Sequence, residues 1–190
     1  KFTFGWTNTF RYKNFDLSVF INGSYGNKVY NYLSMKLTHM NSPWTNQLNA
    51  VNGRAQLVPI NPNKVYEDGT MWYNDVSNVM VANPGASIPR ATINDPNDND
   101  RISDRYIEDG SYIRLKNISL GYTFPKKTID KLGLSNLRIY ANIQNLLTIT
   151  GYDGYDPEIG ASTSSVNVYG LDNGRYPSPT VYSFGLNVSF

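Results

Sequence analysis

Five stretches of the chain alternate apolar and polar residues with a period of two, and no other feature constrains the fold as strongly. In the first, Phe2, Phe4, Trp6, Phe10 and Tyr12 stand against Thr3, Gly5, Thr7, Thr9 and Arg11. In the second, Phe15, Leu17, Val19 and Ile21 oppose Asp16, Ser18 and Asn22. The third sets Ile118, Leu120, Tyr122 and Phe124 against Asn117, Ser119, Gly121 and Thr123. The fourth sets Leu137, Ile139, Ala141 and Ile143 against Arg138, Tyr140, Asn142 and Gln144. The fifth ends the chain, with Tyr182, Phe184, Leu186, Val188 and Phe190 opposing Ser183, Gly185, Asn187 and Ser189. Successive side chains of a strand point to opposite faces, so the spacing predicts five strands, each with one apolar and one polar wall. Their expected spans are 2–12, 15–25, 112–124, 137–149 and 180–190.

The polar walls are small or neutral, rich in Ser, Thr, Gly and Asn. Charged residues make up only 17% of the chain, against roughly 25% in ordinary globular proteins. Aromatics reach 14%, and several lie toward strand ends (Tyr12, Phe15, Tyr122, Phe124, Phe190), where a membrane interface holds such rings. Both features point to an all-β, antiparallel transmembrane β-barrel in outer-membrane lipid. A soluble or surface-attached β-sandwich, such as a carbohydrate-binding module, alternates in the same way and stays open as the second reading. No run of apolar residues is long enough for a membrane-crossing helix, but a barrel strand needs only about 9–11 residues. The chain lacks cysteine, which excludes disulfides and thiolate chemistry, and its single histidine, His39, leaves no Ser-His-Asp or zinc constellation. A net charge of +2 without any Lys/Arg run argues against nucleic acid as a partner. The chain opens inside an alternating segment with no signal peptide before it, which reads as a cut.

The connections are unequal. Lys13-Asn14 is a tight turn, and residues 125–136 are a short connector with a helical turn begun at Pro125 and stopped at Gly133. Residues 26–110 and 151–177 are long. Outer-membrane barrels alternate short periplasmic turns with long extracellular loops in this way. By strand parity both long loops then leave from one, extracellular, end, and the C-terminus is periplasmic. Within the first loop, Val29, Leu33, Leu37 and Met40 recur at helical spacing and predict a helix near 27–40, with His39 on its surface.

Candidate chemistry is sparse, and no enzymatic constellation is present. Asp153, Asp156 and Glu158 lie on one loop, whereas glycosidase carboxylates face each other across a substrate. The expectation is a structural loop with turns at Gly151 and Gly154 and carboxylates that accept backbone hydrogen bonds. Asp95, Asn97, Asp98 and Asp100 crowd oxygen atoms as a calcium loop does. The EF-hand register fails, because Asp100 stands where glycine belongs and Tyr106 where the bidentate Glu belongs, so an Asx-rich turn is predicted without metal or other cofactor. Trp44, Tyr66, Trp72 and Tyr73 are ring-bearing residues of the first long loop, suited either to sugar stacking or to packing against a partner protein.

From Asp104 onward the motifs are specific. The run Asp104-Arg105-Tyr106-Ile107-Glu108-Asp109-Gly110-Ser111-Tyr112-Ile113-Arg114-Leu115-Lys116-Asn117 is followed by Leu120-Gly121-Tyr122 and Asn145-Leu146-Leu147-Thr148. Then come Gly151-Tyr152-Asp153-Gly154-Tyr155-Asp156-Pro157-Glu158, Tyr176-Pro177 and the terminal run from Phe184 to Phe190. In order and spacing they closely resemble the C-terminus of the SusC/RagA family of TonB-dependent transporters of Bacteroidetes. The stretch from Asn83 to Arg90 also fits, while residues 1–80 match in architecture alone. The resemblance implies a barrel of about 22 strands, of which these are the last five, plugged by an N-terminal domain that contacts TonB and is missing here. It implies a SusD-like surface lipoprotein as lid, pairing of two transporter–lipoprotein units, and import of glycans or peptides. It also implies that Phe190 is the aromatic end read by the outer-membrane assembly machinery. Five strands leave two open edges, so the remainder of the barrel is an obligatory neighbour.

Overall fold

The computed structural model describes residues 1–95, 97–159 and 169–190. The strands in chain order are β1 (Phe2–Tyr12), β2 (Phe15–Tyr25), β3 (Lys28–Asn31), β4 (Leu57–Pro59) and β5 (Val79–Val81). They continue with β6 (Ile107–Asp109), β7 (Tyr112–Thr123), β8 (Asn136–Thr150), β9 (Leu171–Asp172) and β10 (Val181–Ser189). Two short α-helices, α1 (Tyr32–Thr38) and α2 (Lys126–Ile129), complete the regular elements besides single turns of tighter helix. The chain divides into two compact units, Lys1–Asn31 with Ile107–Phe190, and Tyr32–Tyr106.

The first unit is built on a five-stranded antiparallel sheet in the order β1-β2-β7-β8-β10. Its register lines apolar side chains into rows across all five strands. One row runs Phe10, Leu17, Leu120, Ala141, Phe184, and the next runs Tyr12, Phe15, Tyr122, Ile139, Leu186. The alternation read from the sequence is therefore a single face. A β-sandwich would bury that face under a second sheet. Here Leu120, Ile139 and Leu186 are 48%, 44% and 60% exposed, so the sandwich alternative fails. Near the tight turn the rings of Phe15 and Tyr122 lie 4.7 Å apart and those of Tyr122 and Phe124 5.0 Å apart, forming an aromatic cluster at one strand end.

The two short connections close this end. Lys13 turns the chain with φ +53°, and the Asn14 side-chain amide donates to the Thr123 carbonyl at 2.6 Å. Pro125 starts α2 and Gly133, at φ +69°, ends the connector, with Ile129 buried beneath it. At the opposite end β3 pairs antiparallel with β6 and parallel with β9. The Tyr30 amide also donates to the Gly170 carbonyl at 2.7 Å. The bases of both long excursions thus meet at one end of the large sheet. Between the two ends a bulge resets the register, with Leu115 facing Leu147 and Asn117 facing Gln144. Asn145, at φ +53°, supplies the left-handed residue that such a bulge needs.

One expectation is corrected. Helical spacing predicted a helix over 27–40, but α1 begins only at Tyr32, and Val29 lies in β3. Val29 faces Glu108 of β6 and is 1% exposed, so a pairing partner 79 positions along the chain overrides the local period.

Candidate functional site

The polar wall of the sheet is flattened by glycines beneath long side chains. Arg138 grips Asp16 with two hydrogen bonds, Nη2 to Oδ2 at 2.6 Å and Nε to Oδ1 at 3.1 Å. This pair crosses directly over Gly121, where a Cβ would stand 2.2 Å from Arg138 Nη2. Tyr140 lies over Gly185 in the same way, 2.1 Å from where a Cβ would be. A wall with such pairs laid flat is smooth and hydrogen-bonding, and it carries its charges in compensated form.

Above the bulge, the motif loop after β8 is locked to this wall by one buried arginine. Arg114, 3% exposed, donates through Nε to Thr148 Oγ1 at 2.8 Å, through Nη1 to Glu158 at 2.6 Å, and through Nη2 to Asp156. Lys116 donates to the same Glu158 oxygen. Asp156 further accepts the backbone N–H groups of Glu158 and Ser178, each at 2.9 Å. Burial pushes the Asp156 carboxyl up, but the Arg114 guanidinium and these two N–H donors outweigh it and hold the group below the ordinary carboxylate value. Pro157 is buried beside it, while Asp153 and Tyr155 are exposed. Asp156 and Glu158 therefore share one cation cluster and do not face each other across a substrate-sized gap. Gly151 and Gly154 do not use the left-handed region. Gly154 is instead needed because a Cβ there would lie 2.3 Å from the Tyr152 ring. That ring is buried and its hydroxyl donates to Asp172 at 2.7 Å, and burial followed by this bond raises its pKa well above the usual phenol value. Sequence reading expected backbone partners for the carboxylates and missed the cations. The available sign was Arg114 itself, a fixed charge in a stretch of β7 that otherwise places Asn117, Ser119 and Gly121 on the polar face.

The second unit, Tyr32–Tyr106, contains a cleft of about 850 Å3. Residues 54–57 form its floor. They are held on one side by β5, with the Ala82 amide donating to Gln56, and on the other by Ile88, whose carbonyl accepts the Ala55 amide at 2.8 Å. Trp72, Tyr73, Arg54, Gln56, Arg90 and Asn94 line it. The Trp72 and Tyr73 rings meet edge to face, 5.6 Å apart. The other two aromatic candidates go elsewhere. Tyr66 donates to Asp75 and accepts from Asn78, both at 2.9 Å, and Lys64 bonds the same Asp75 oxygen at 2.6 Å. Lys64, then Ser77 and Tyr66, keep the Asp75 carboxyl far below its ordinary pKa, so Tyr66 belongs to a structural knot. Trp44 is 93% exposed and lies outside the cleft lining.

His39 is not on a helix surface. Its side chain is only 9% exposed, with Nε2 2.9 Å from Asp95 and Nδ1 3.8 Å from Asp100. Asp95 also accepts the backbone and side-chain N–H groups of Asn99, four residues on. Burial pushes the Asp95 carboxyl up, but the Asn99 donors and His39 outweigh it and leave it below the usual value. Of the four candidate calcium ligands, Asn97 turns to Asn99 and Asp98 is exposed with φ +48°. His39 stands between Asp95 and Asp100 instead, one carboxylate on each ring nitrogen, an arrangement that clamps an imidazole. Phe190 is 93% exposed, and its carbonyl accepts the Ser135 hydroxyl at 3.3 Å.

No protein-family model matches the chain. Over its whole length the chain is 35% identical to the TonB-dependent receptor P3 of Formosa agariphila, of which it covers 16%. It is 29% identical to the TonB-dependent receptor SusC of Bacteroides thetaiotaomicron, with 98% of the chain and 15% of SusC aligned. The structure of the RagAB peptide importer in the "open-open" state shares the fold, with a TM-score of 0.65 at 19% identity over 99% of this chain and 17% of that one. The chain spans 15% to 16% of the length of these curated relatives. Sheet, motif loop and alignments together place the chain in the SusC/RagA-like family of TonB-dependent receptors.

Proposed function

We propose that the chain forms wall and extracellular rim of an outer-membrane barrel that imports a nutrient, a glycan or a peptide, with energy from TonB and a SusD-like lipoprotein over its mouth. The observation that carries this reading is the broad, exposed apolar face of the five-stranded sheet, open where any soluble fold would cover it. Lipid is the medium that such a face needs. The polar wall, smoothed by Gly121 and Gly185, then lines the interior, and β1 and β10 pair with strands of the remaining barrel. The end from which both long excursions leave faces outward, and the Lys13-Asn14 turn and α2 face the periplasm. This is a transport role without catalysis.

The test is uptake by cells carrying the full-length receptor, using labelled oligosaccharides and labelled peptides with and without TonB. TonB-dependent accumulation of one class, with the receptor in the outer-membrane fraction and a surface lipoprotein co-purifying, is the expected result. A receptor found in the soluble fraction, or uptake indifferent to TonB, would overturn the reading.

A further inference from the structure

The cleft of the second unit carries a chemistry that the barrel does not explain. Arg54 and Arg90 both line it, and among the described residues no Asp or Glu does. Other charged groups of this unit do have ionic partners: Lys64 is paired with Asp75, and His39 stands between Asp95 and Asp100. Among the described residues Arg54 and Arg90 make no salt bridge and stack on no ring, and the guanidinium of Arg54 makes one long hydrogen bond, 3.4 Å to the Val51 carbonyl. Two half-buried guanidiniums without counter-charge in one concave site call for an anion, because each presents a fork of donors shaped for two oxygens. Beside them, Trp72 and Tyr73 offer ring faces, and Gln56, Asn74, Thr92 and Asn94 offer neutral groups that both donate and accept.

We propose that this cleft binds an acidic saccharide, with a carboxylate or sulfate ester held by Arg54 and Arg90 and a sugar ring laid against Trp72 or Tyr73. An extended peptide fits less well. Residues 54 and 55 are already bonded to Ile88, and residues 56 and 57 to Ala82 and β5, so this stretch of backbone offers a peptide few open hydrogen-bonding groups. The neutral amides and hydroxyl match sugar hydroxyls instead. This inference rests on the import reading and narrows its substrate class.

The test is calorimetric titration of the full-length receptor in detergent with four probes: trigalacturonate, a sulfated carrageenan tetrasaccharide, neutral maltotriose and hexaglutamate. At least one acidic saccharide should bind about tenfold or more tightly than maltotriose, and more weakly as salt rises. The first two probes separate carboxylate from sulfate. Arg54→Gln and Arg90→Gln should each weaken that binding about tenfold, and Arg90→Lys, which keeps the charge and loses the fork, should weaken it less. Trp72→Ala should weaken every saccharide alike. Retained heat-modifiable migration on gels certifies that each variant is folded, and the Lys variant serves if a Gln variant is not. Equal binding of maltotriose, equal binding of hexaglutamate, or wild-type affinity in both Gln variants would overturn the proposal. If cells still show TonB-dependent uptake in that event, the cleft assignment falls and the import reading stands.

Discussion

Arg114 shows how one side chain can dock a loop. It is buried, it bonds Thr148 on the neighbouring strand, and it collects Asp156 and Glu158 from the loop beyond. Removing one partner of a buried pair costs about 3–5 kcal/mol, because the other charge is left without compensation. Arg114→Ala should therefore free the loop around residues 151–159, seen as protease cleavage there in an otherwise folded receptor, and an uncut loop would refute the docking role. The pH dependence has a fixed sign. The Asp156 carboxyl is lowered from 3.8 in the folded state, so its contribution is present above that value and is lost as pH falls through the depressed one. Hydrogen exchange at the Ser178 and Glu158 amides, corrected for intrinsic rate, should stay protected at pH 5 and open only below the ordinary carboxylate range. Protection lost already at pH 5 would contradict it. Gly121→Ala belongs to the same scale: a Cβ 2.2 Å from Arg138 Nη2 must displace the Asp16 pair. A cost of about 1–3 kcal/mol is expected, measurable as a lower urea midpoint of the folded barrel.

At the level of elements, alternation is what the strands transmit. Leu120 and Ser119 are neighbours in β7 but belong to opposite walls. Leu120→Arg should cost about 2–4 kcal/mol if the apolar wall meets lipid near the midplane, and Ser119→Arg much less. Equal losses of heat-resistant folded receptor in the two variants would sink the assignment of faces. The strands of the large sheet were legible because each carries its own two-residue period. β3 was not, since four residues are too few to show a period and the partners that hold it, β6 and β9, are distant in sequence. The bulge was equally invisible: Asn145 reads as an ordinary strand residue until its φ of +53° is seen.

For the whole molecule, the long excursion of residues 26–110 is where recognition resides in the reading proposed here. Deleting its tip around Trp72-Tyr73 should impair uptake or lipoprotein binding while the receptor still folds into the outer membrane. Untouched transport and unchanged lipoprotein co-purification would leave this excursion without a binding role. Trp72 and Tyr73 were identifiable as exposed-type aromatics, but Tyr66 and Trp44 looked the same in sequence and lie outside the cleft lining, Tyr66 bonded to Asp75 and Trp44 exposed. What separates them is which neighbours arrive: Asp75 and Asn78 claim Tyr66, whereas Arg54 and Arg90 join Trp72 and Tyr73 from far along the chain.

The sequence alone was enough for class, the five strands of the large sheet, which residues share each face and the position of the short turns, because all of these follow from local periodicity and from residues with restricted backbones such as Pro125 and Gly133. It also sufficed to exclude thiol and multi-histidine chemistry by composition. Which charges meet was left to the folded chain. Arg138 reaches Asp16 across 122 positions, Arg114 reaches Glu158 across 44, and His39 reaches Asp95 across 56. No local pattern encodes such pairings, because they depend on strand register and loop closure, which only the assembled sheet and its excursions decide.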